Sequence, residues 1–244
     1  IGITQFDGIT ANQASPSSSS ANSCLGSGKK QTFPRLDGAV LEAQSVASIL
    51  NSKPLLDEAA TESEVKGLTG PYILHVASHG FFTGEHCAHV PAKSKQHDLS
   101  DIFTEETLTH SGLLRSGLAL AHANDPPSGN EDGILTALEV ASLDLWGTQL
   151  VTLSACKTGV GTIDSSEGVS GLRRALFIAG SRSQVLSLWK VDDSATKDMM
   201  EEYYRHLVQE QMGRSGSLRQ VQLDMLNKKG RFEKKQLRHP YYWA

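Results

Sequence analysis

Apolar residues along the chain alternate between two spacings, which predicts alternating strands and helices. Short apolar runs with few charges, of the length of a β-strand, occur at residues 1–6, 72–78, 117–123, 148–156 and 183–189. Elsewhere apolar residues recur every three or four positions, which places them on one face of a helix. This spacing predicts helices over residues 36–50, 137–144, 167–179, 194–209 and 216–227. Such alternation is typical of an α/β domain with a mostly parallel central sheet and helices on both faces.

Two helix starts carry capping signals. Thr61 is followed three residues later by Glu64, the spacing of a capping box, which predicts a short helix there. Thr136 precedes the helical pattern at 137–144 and is predicted to cap it.

Two other segments interrupt the alternation of strands and helices. Residues 11–30 are Ser-rich, which predicts a flexible loop, and residues 84–112 are polar, which predicts an irregular insertion.

Composition places the chain among folded, non-membrane proteins. Its 244 residues are 39% hydrophobic, which favours one domain, spanning 1–244, with a buried core. A net charge of −4 lacks the basic footprint of a nucleic-acid binder, and no apolar run reaches the length of a membrane span. Three cysteines do not make a disulfide framework, so a reducing, cytoplasmic location is predicted. The sequence does not begin with Met, from which we expect a domain excised from a longer chain.

Two predicted strands end in a reactive residue beside small neighbours. One reaches Ser78-His79-Gly80 and the other reaches Cys156. Sites in open α/β sheets lie beyond the carboxyl ends of the strands, so His79 and Cys156 would meet if these strands are neighbours. A thiol beside an imidazole performs nucleophilic acyl transfer. The backbone amides of Gly80 and Cys156 are the predicted oxyanion donors.

A metal site is the alternative interpretation of the same region. Cys and His side chains of the kind that bind zinc are concentrated there: His75, His79, His86, Cys87 and His89. Against it, His75 falls within a predicted buried strand, and the spacing matches no common zinc pattern. His75 lies four residues before His79, on the same strand face, and is interpreted as a packing residue or as one that orients His79.

Five segments, in order along the chain, resemble the CHAT domain, a branch of the caspase-like cysteine peptidases that also includes separases. They cover most of residues 36–244: HVASHGFF, SGLALA, DGILTALEVASLDLWGTQLVTLSACKTGVG, EGVSGLRRALFIAGSRSQVLSLWKVDDSAT and HPYYWA. The resemblance implies a caspase-like sheet and a cysteine endopeptidase that cleaves a protein substrate through an acyl-enzyme. It implies His79 as general base and Cys156 as nucleophile, with no metal or organic cofactor.

The resemblance also implies a residue that determines substrate specificity. In separases, an acidic residue in the segment resembling LWKVDD lies in the pocket for a P1 arginine. Asp193 is the matching position here and Asp192 is its neighbour; a carboxylate there would favour a basic P1 side chain. Both residues could instead simply start the helix at 194, where carboxylates stabilise the N-terminal dipole.

Regulation by another domain is a further expectation. CHAT domains usually end a longer chain behind tetratricopeptide-repeat (TPR) or other sensor modules, so a peptidase gated by a fused sensor or partner protein is expected. Because fold does not guarantee activity, a catalytically silent interaction module with the same fold is the competing hypothesis.

Overall fold

The computed structural model describes residues 2–3, 32–82, 112–126, 131–157, 165–189, 191–233 and 235–243. For residues 2–3, 112, 155–157 and 165–169 it describes the backbone alone. The predicted Ser-rich loop 11–30 lies outside the described residues, as does the predicted insertion 84–112 apart from its last residue.

The described strands form one mixed sheet. The strands are β1 (Gly2–Ile3), β2 (Ile73–Phe82), β3 (Ser116–Ala119), β4 (Ile134–Thr136), β5 (Leu150–Lys157) and β6 (Gln184–Leu186). Five of them lie in the order β4-β3-β2-β5-β6, and β1 pairs with the first half of β2. β1, β2, β5 and β6 are mutually parallel, whereas β3 is antiparallel to both β2 and β4. The predicted parallel arrangement therefore holds around β2 and β5, and the β3–β4 edge departs from it.

Helices cover both faces of the sheet. The described α-helices are α1 (Asp37–Ile49), α2 (Glu62–Lys66), α3 (Gly112–Arg115), α4 (Ala137–Ala141), α5 (Ser165–Ile178), α6 (Asp193–Tyr204) and α7 (Arg214–Leu226), with α6 continuing as a π turn, Arg205–Gln209. One apolar core lies between the sheet and α4 and α5, and a second lies between the sheet and α1, α6 and α7. The expectation of an α/β domain with two covered faces is confirmed.

The predicted strand 72–78 is too short. β2 runs on to Phe82 because β3 pairs antiparallel with residues 79–82, a partner that the local apolar pattern does not reveal. His79 is therefore inside a strand rather than at its end. The predicted strand 117–123 in turn ends at Ala119, and the α-helix predicted over 194–209 ends at Tyr204, where the π turn begins.

Both capping predictions are confirmed, and the cap at Thr136 is the more complete of the two. Thr61 accepts a hydrogen bond from the backbone N–H of Glu64 at 3.2 Å. Thr136 and Glu139 form a full capping box at the start of α4. Each such cap satisfies backbone N–H groups that have no partner inside the helix.

Candidate functional site

The two candidate catalytic residues occupy neighbouring positions in the sheet. β2 and β5 pair in parallel register from Ile73↔Leu150 to Gly80↔Lys157, and in this register His79 is the partner of Cys156. Adjacent strands lie about 4.8 Å apart. The condition that these strands are neighbours is met, and the backbone brings the two positions to the same point of the sheet.

The imidazole of His79 is buried and contacts the backbone of the segment before α1. It is 1% exposed, and its Nε2 atom lies 2.6 Å from the carbonyl oxygen of Pro34. A carbonyl oxygen only accepts hydrogen bonds, so this contact selects the neutral tautomer with the proton on Nε2. In that tautomer Nδ1 carries the basic lone pair. The ring of Phe33 packs beside the imidazole, with 5.7 Å between ring centroids.

An asparagine fixes the segment that carries the Pro34 carbonyl. The side chain of Asn124 accepts a hydrogen bond from the N–H of Phe33 at 2.8 Å and donates one to the Phe33 carbonyl at 2.7 Å. Asn124 is 8% exposed, so both hydrogen bonds are shielded from water. No sequence pattern indicates this contact, since a backbone carbonyl carries no residue signature and Asn124 falls in a stretch rich in turn-forming residues.

Gly80 lies inside β2, with register partners on both sides. Leu118 of β3 is one partner and Lys157 of β5 is the other. A residue within a paired strand directs its N–H along the ladder towards one neighbour. The role of the Gly80 and Cys156 amides as oxyanion donors stays a prediction.

A network of buried polar side chains lies on the same face of β2 as His79. His75 Nδ1 lies 3.2 Å from the hydroxyl of Tyr204, which donates to Thr152 at 2.9 Å. His75 Nε2 lies 3.0 Å from a carboxylate oxygen of Glu42, although the contact lacks the alignment of a hydrogen bond. The second Glu42 oxygen accepts from Ser154 at 3.0 Å. All five side chains are buried, and burial raises the pKa of Tyr204 so that it stays a neutral donor.

This network bears on both interpretations of His75. The two ring nitrogens face Tyr204 and Glu42, so His75 ties β2 to α1 and α6. These contacts are those of the packing residue that the sequence predicts. His86, Cys87 and His89 lie outside the described residues, so the proposed cluster as a whole is not tested.

Comparison with known proteins identifies the family. The model of the CHAT domain matches residues 4–244, nearly the whole chain. The chain belongs to the CHAT domain family.

One curated relative is the human tetratricopeptide repeat protein 28. This CHAT domain is 28% identical to it over 176 residues, which cover 68% of this chain and 7% of that protein. The chain thus spans a small part of the relative's length. No solved structure matches the chain. Within the part of the chain that the structure describes, no helix combines the length and the apolar character needed to cross a bilayer.

The two acidic residues of the predicted specificity pocket have different surroundings in this CHAT domain. Asp192 caps α6, since its carboxylate accepts from the backbone N–H of Ala195 at 2.8 Å, which confirms the helix-start interpretation for that residue. Asp193 is the first residue of α6 and is exposed. It lines a cavity of about 10 Å³ together with Glu42 and Ser154, close to the volume of one water site. Its role in substrate binding stays a prediction.

Proposed function

We propose that this CHAT domain is a caspase-like cysteine endopeptidase in which His79 and Cys156 form a catalytic dyad. The observation that carries the proposal is the register of β2 and β5, which pairs these two positions. The contact between His79 Nε2 and Pro34 supports it, since that contact leaves the basic lone pair on Nδ1. Membership of the CHAT family supports it independently.

The reaction follows from the chemistry of the two side chains. His79 Nδ1 takes the proton of the Cys156 thiol, and the thiolate sulfur bonds to the carbonyl carbon of the scissile peptide. The amides of Gly80 and Cys156 stabilise the oxyanion. The C–N bond then breaks, and the imidazolium of His79 protonates the leaving amine. Water, deprotonated by His79, attacks the thioester, and the thiolate leaves as the acid product forms. No metal or organic cofactor enters these steps.

The proposed specificity is for a basic P1 residue. Asp193 is the proposed partner of that residue, because it is exposed at the first position of α6, beside Gly38 of α1. A charge-assisted hydrogen bond from a P1 guanidinium or ammonium would supply the selectivity. Asp192 would assist only indirectly, by capping the helix that carries Asp193.

We further propose that the peptidase is gated. The exposure of His79 is 1%, so an extended peptide needs a rearrangement before it reaches the imidazole. A fused sensor or a partner protein would supply that change, and the TPR name of the human relative supports a TPR-type module in this role. A cytoplasmic location, where thiols stay reduced, fits a catalytic cysteine.

A P1-diversified fluorogenic peptide library tests the proposal directly. Wild type, Cys156→Ala and His79→Ala are compared, with Cys24→Ala and Cys87→Ala as matched cysteine controls. Cleavage lost in the first two variants and kept in the controls is expected. Cleavage that survives Cys156→Ala would refute the dyad.

The burial of His79 also favours a second candidate, a catalytically silent interaction module. If the wild type cleaves nothing, labelling of Cys156 by a peptidyl electrophile decides between the two. A gated enzyme should show labelling that His79→Ala slows and that candidate partners accelerate. A silent module should show a thiol that reacts no faster than free cysteine.

A further inference from the structure

A second cluster of ligating side chains lies at the far end of α6 from Asp193. Glu202 is on α6, His206 is on the π turn that follows, and Asp224 is on α7. One potential ligand atom from each of the three lies within 4.8 Å of the other two. All three side chains are largely buried, with exposures of 15%, 5% and 15%.

The central observation is the orientation of the His206 imidazole. Its Nδ1 lies 2.7 Å from a carboxylate oxygen of Glu210, which only accepts, and 3.5 Å from the guanidinium of Arg205, which only donates. The much shorter contact with Glu210 places the proton of the neutral ring on Nδ1. The lone pair then belongs to Nε2, which lies 3.7 Å from Glu202 Oε1 and 3.6 Å from Asp224 Oδ2. Both distances are too long for hydrogen bonds. Nε2 is buried and has no hydrogen-bond partner among the residues that the structure describes.

A buried nitrogen of this kind is costly unless something binds it. Leaving such a group without a partner costs free energy, because its hydration is lost and no hydrogen bond replaces it. The lone pair of His206 Nε2 lies between two carboxylates and is therefore suited to binding a cation. In a tetrahedral zinc site with Zn–N and Zn–O distances of about 2.0–2.2 Å, neighbouring ligand atoms lie about 3.4 Å apart. The two separations between Nε2 and a carboxylate oxygen exceed that value by only a few tenths of an ångström.

We propose that Glu202, His206 and Asp224 bind a divalent transition-metal ion of the zinc class. Imidazole and carboxylate ligands suit such ions. Glu210 supplies the outer carboxylate that typically orients a metal-bound histidine. The ion joins α6 to α7 and stabilises their packing. The site is built from other elements than the proposed dyad, because its residues lie on α6, the π turn and α7, whereas His79 and Cys156 lie on β2 and β5.

Neighbouring cations determine the charge of this site. Arg205 contacts carboxylates of Glu202 and Glu210, and Arg231 Nε lies 3.6 Å from Glu202 Oε2. Each carboxylate oxygen has two lone pairs, so Glu202 can keep its arginine contact and still bind an ion. The competing state is a protonated His206 that donates to the same carboxylates without a metal.

The experiment is a zinc titration of the full chain by calorimetry after the metal has been stripped with a chelator. It uses a Cys156→Ala background, so that zinc bound at the dyad thiol is not counted. One ion per chain is expected. Asp224→Asn and His206→Gln should weaken binding at least tenfold, and Glu210→Gln should weaken it 10- to 100-fold, as loss of an outer carboxylate typically does. Glu233→Gln, at an exposed position, is the matched control and should bind as the parent does.

Three results would overturn the proposal: no binding, equal binding by Asp224→Asn and His206→Gln, or binding lost only on His86→Ala with His89→Ala. Circular dichroism of each metal-free variant checks the fold. If His206→Gln does not fold, Asp224→Asn and Glu202→Gln carry the same test. Visible absorption of bound Co²⁺ gives an independent readout, since a protonated His206 without metal produces none.

Discussion

The Nε2 atom of His79 lies 2.6 Å from the carbonyl oxygen of Pro34. The two residues come from distant parts of the chain, and the contact depends on how the segment before α1 is held. Asn124 holds it through two hydrogen bonds to the backbone of Phe33. Asn124 is therefore a positioning residue for the proposed general base.

Replacing Asn124 tests this relationship. Asn124→Ala removes both hydrogen bonds and leaves two buried backbone groups without partners, so we expect the free energy of unfolding to fall by about 1–3 kcal/mol. We also expect kcat/KM, or the rate at which a peptidyl electrophile labels Cys156, to fall by roughly tenfold or more, since small misplacements of a catalytic group are costly. The labelling rate across pH is the decisive measurement, because a purely structural role would not move its profile. Asp125→Asn, an exposed neighbour, is the control and should leave both quantities unchanged.

Two adjacent tyrosines offer a matched pair for the buried network. Tyr203 and Tyr204 are both fully buried. Tyr204 donates to Thr152 and contacts His75, whereas the hydroxyl of Tyr203 makes no hydrogen bond within the described ranges of the chain. Burial raises the pKa of Tyr203 to about 12, so both side chains are neutral at pH 7.

Removing the two hydroxyls one at a time should therefore have different effects on the free energy of unfolding. Tyr204→Phe leaves Thr152 and His75 short of a partner and should lower the free energy of unfolding by about 1–3 kcal/mol. Tyr203→Phe removes a polar group that is already unsatisfied and should be neutral or slightly stabilising. Urea unfolding of both variants at pH 7 checks this. Equal losses would show that the network adds no stability beyond packing.

Most of the fold could be predicted because its signals are local. The buried positions of α5, namely Leu172, Ala175 and Leu176, follow the helical spacing directly. Hydrophobicity alone does not identify the core-facing positions of α1: Leu41 is 51% exposed, while Glu42 is buried. Glu42 lies three residues after buried Ala39 and four before buried Val46, so it occupies a core-facing position of the helix. A charged residue at such a position is the sequence feature that points to a buried polar contact.

The features that escaped prediction all depend on distant partners. The extension of β2 needs β3 beside it, and the Pro34 carbonyl reaches His79 only because the fold brings the segment before α1 against the sheet. Glu202 and His206 are four residues apart, a spacing that favours one helix face. Asp224 completes their cluster from a different helix, which the sequence pattern could not supply.

A buried carboxylate predicts a pH dependence of stability. Glu62 is 2% exposed; one of its oxygens lies 3.1 Å from Lys66 Nζ and the other accepts from the Gly133 N–H at 2.8 Å. Burial raises the pKa of Glu62 to about 6, although Lys66 and the Gly133 amide partly oppose the shift. The folded state therefore holds this proton more tightly than the unfolded chain, whose pKa is near 4.5.

The sign of the effect follows from that difference. The stabilisation from Glu62 is fully present below pH 4.5 and is lost as the pH rises through about 6. A shift of this size corresponds to about 2 kcal/mol. Urea unfolding at several pH values between 4 and 7 should show wild type losing stability relative to Glu62→Gln over this window. Glu64→Gln, on the exposed side of the same helix, should run parallel to wild type, and parallel curves for Glu62→Gln would contradict the assignment.

Asp192 and Asp193 are neighbours that the proposed function assigns to different tasks. Asp192→Ala removes the cap on the Ala195 N–H, so we expect a loss of about 1 kcal/mol in the free energy of unfolding and an unchanged order of P1 preference. Asp193→Asn keeps the size of the side chain but removes its charge, so kcat/KM for substrates with P1 arginine should fall at least tenfold relative to P1 leucine. Urea unfolding and a P1-varied peptide series measure the two effects on the same protein samples. An unchanged P1 preference in Asp193→Asn, with activity retained, would remove Asp193 from the specificity pocket while leaving the dyad intact.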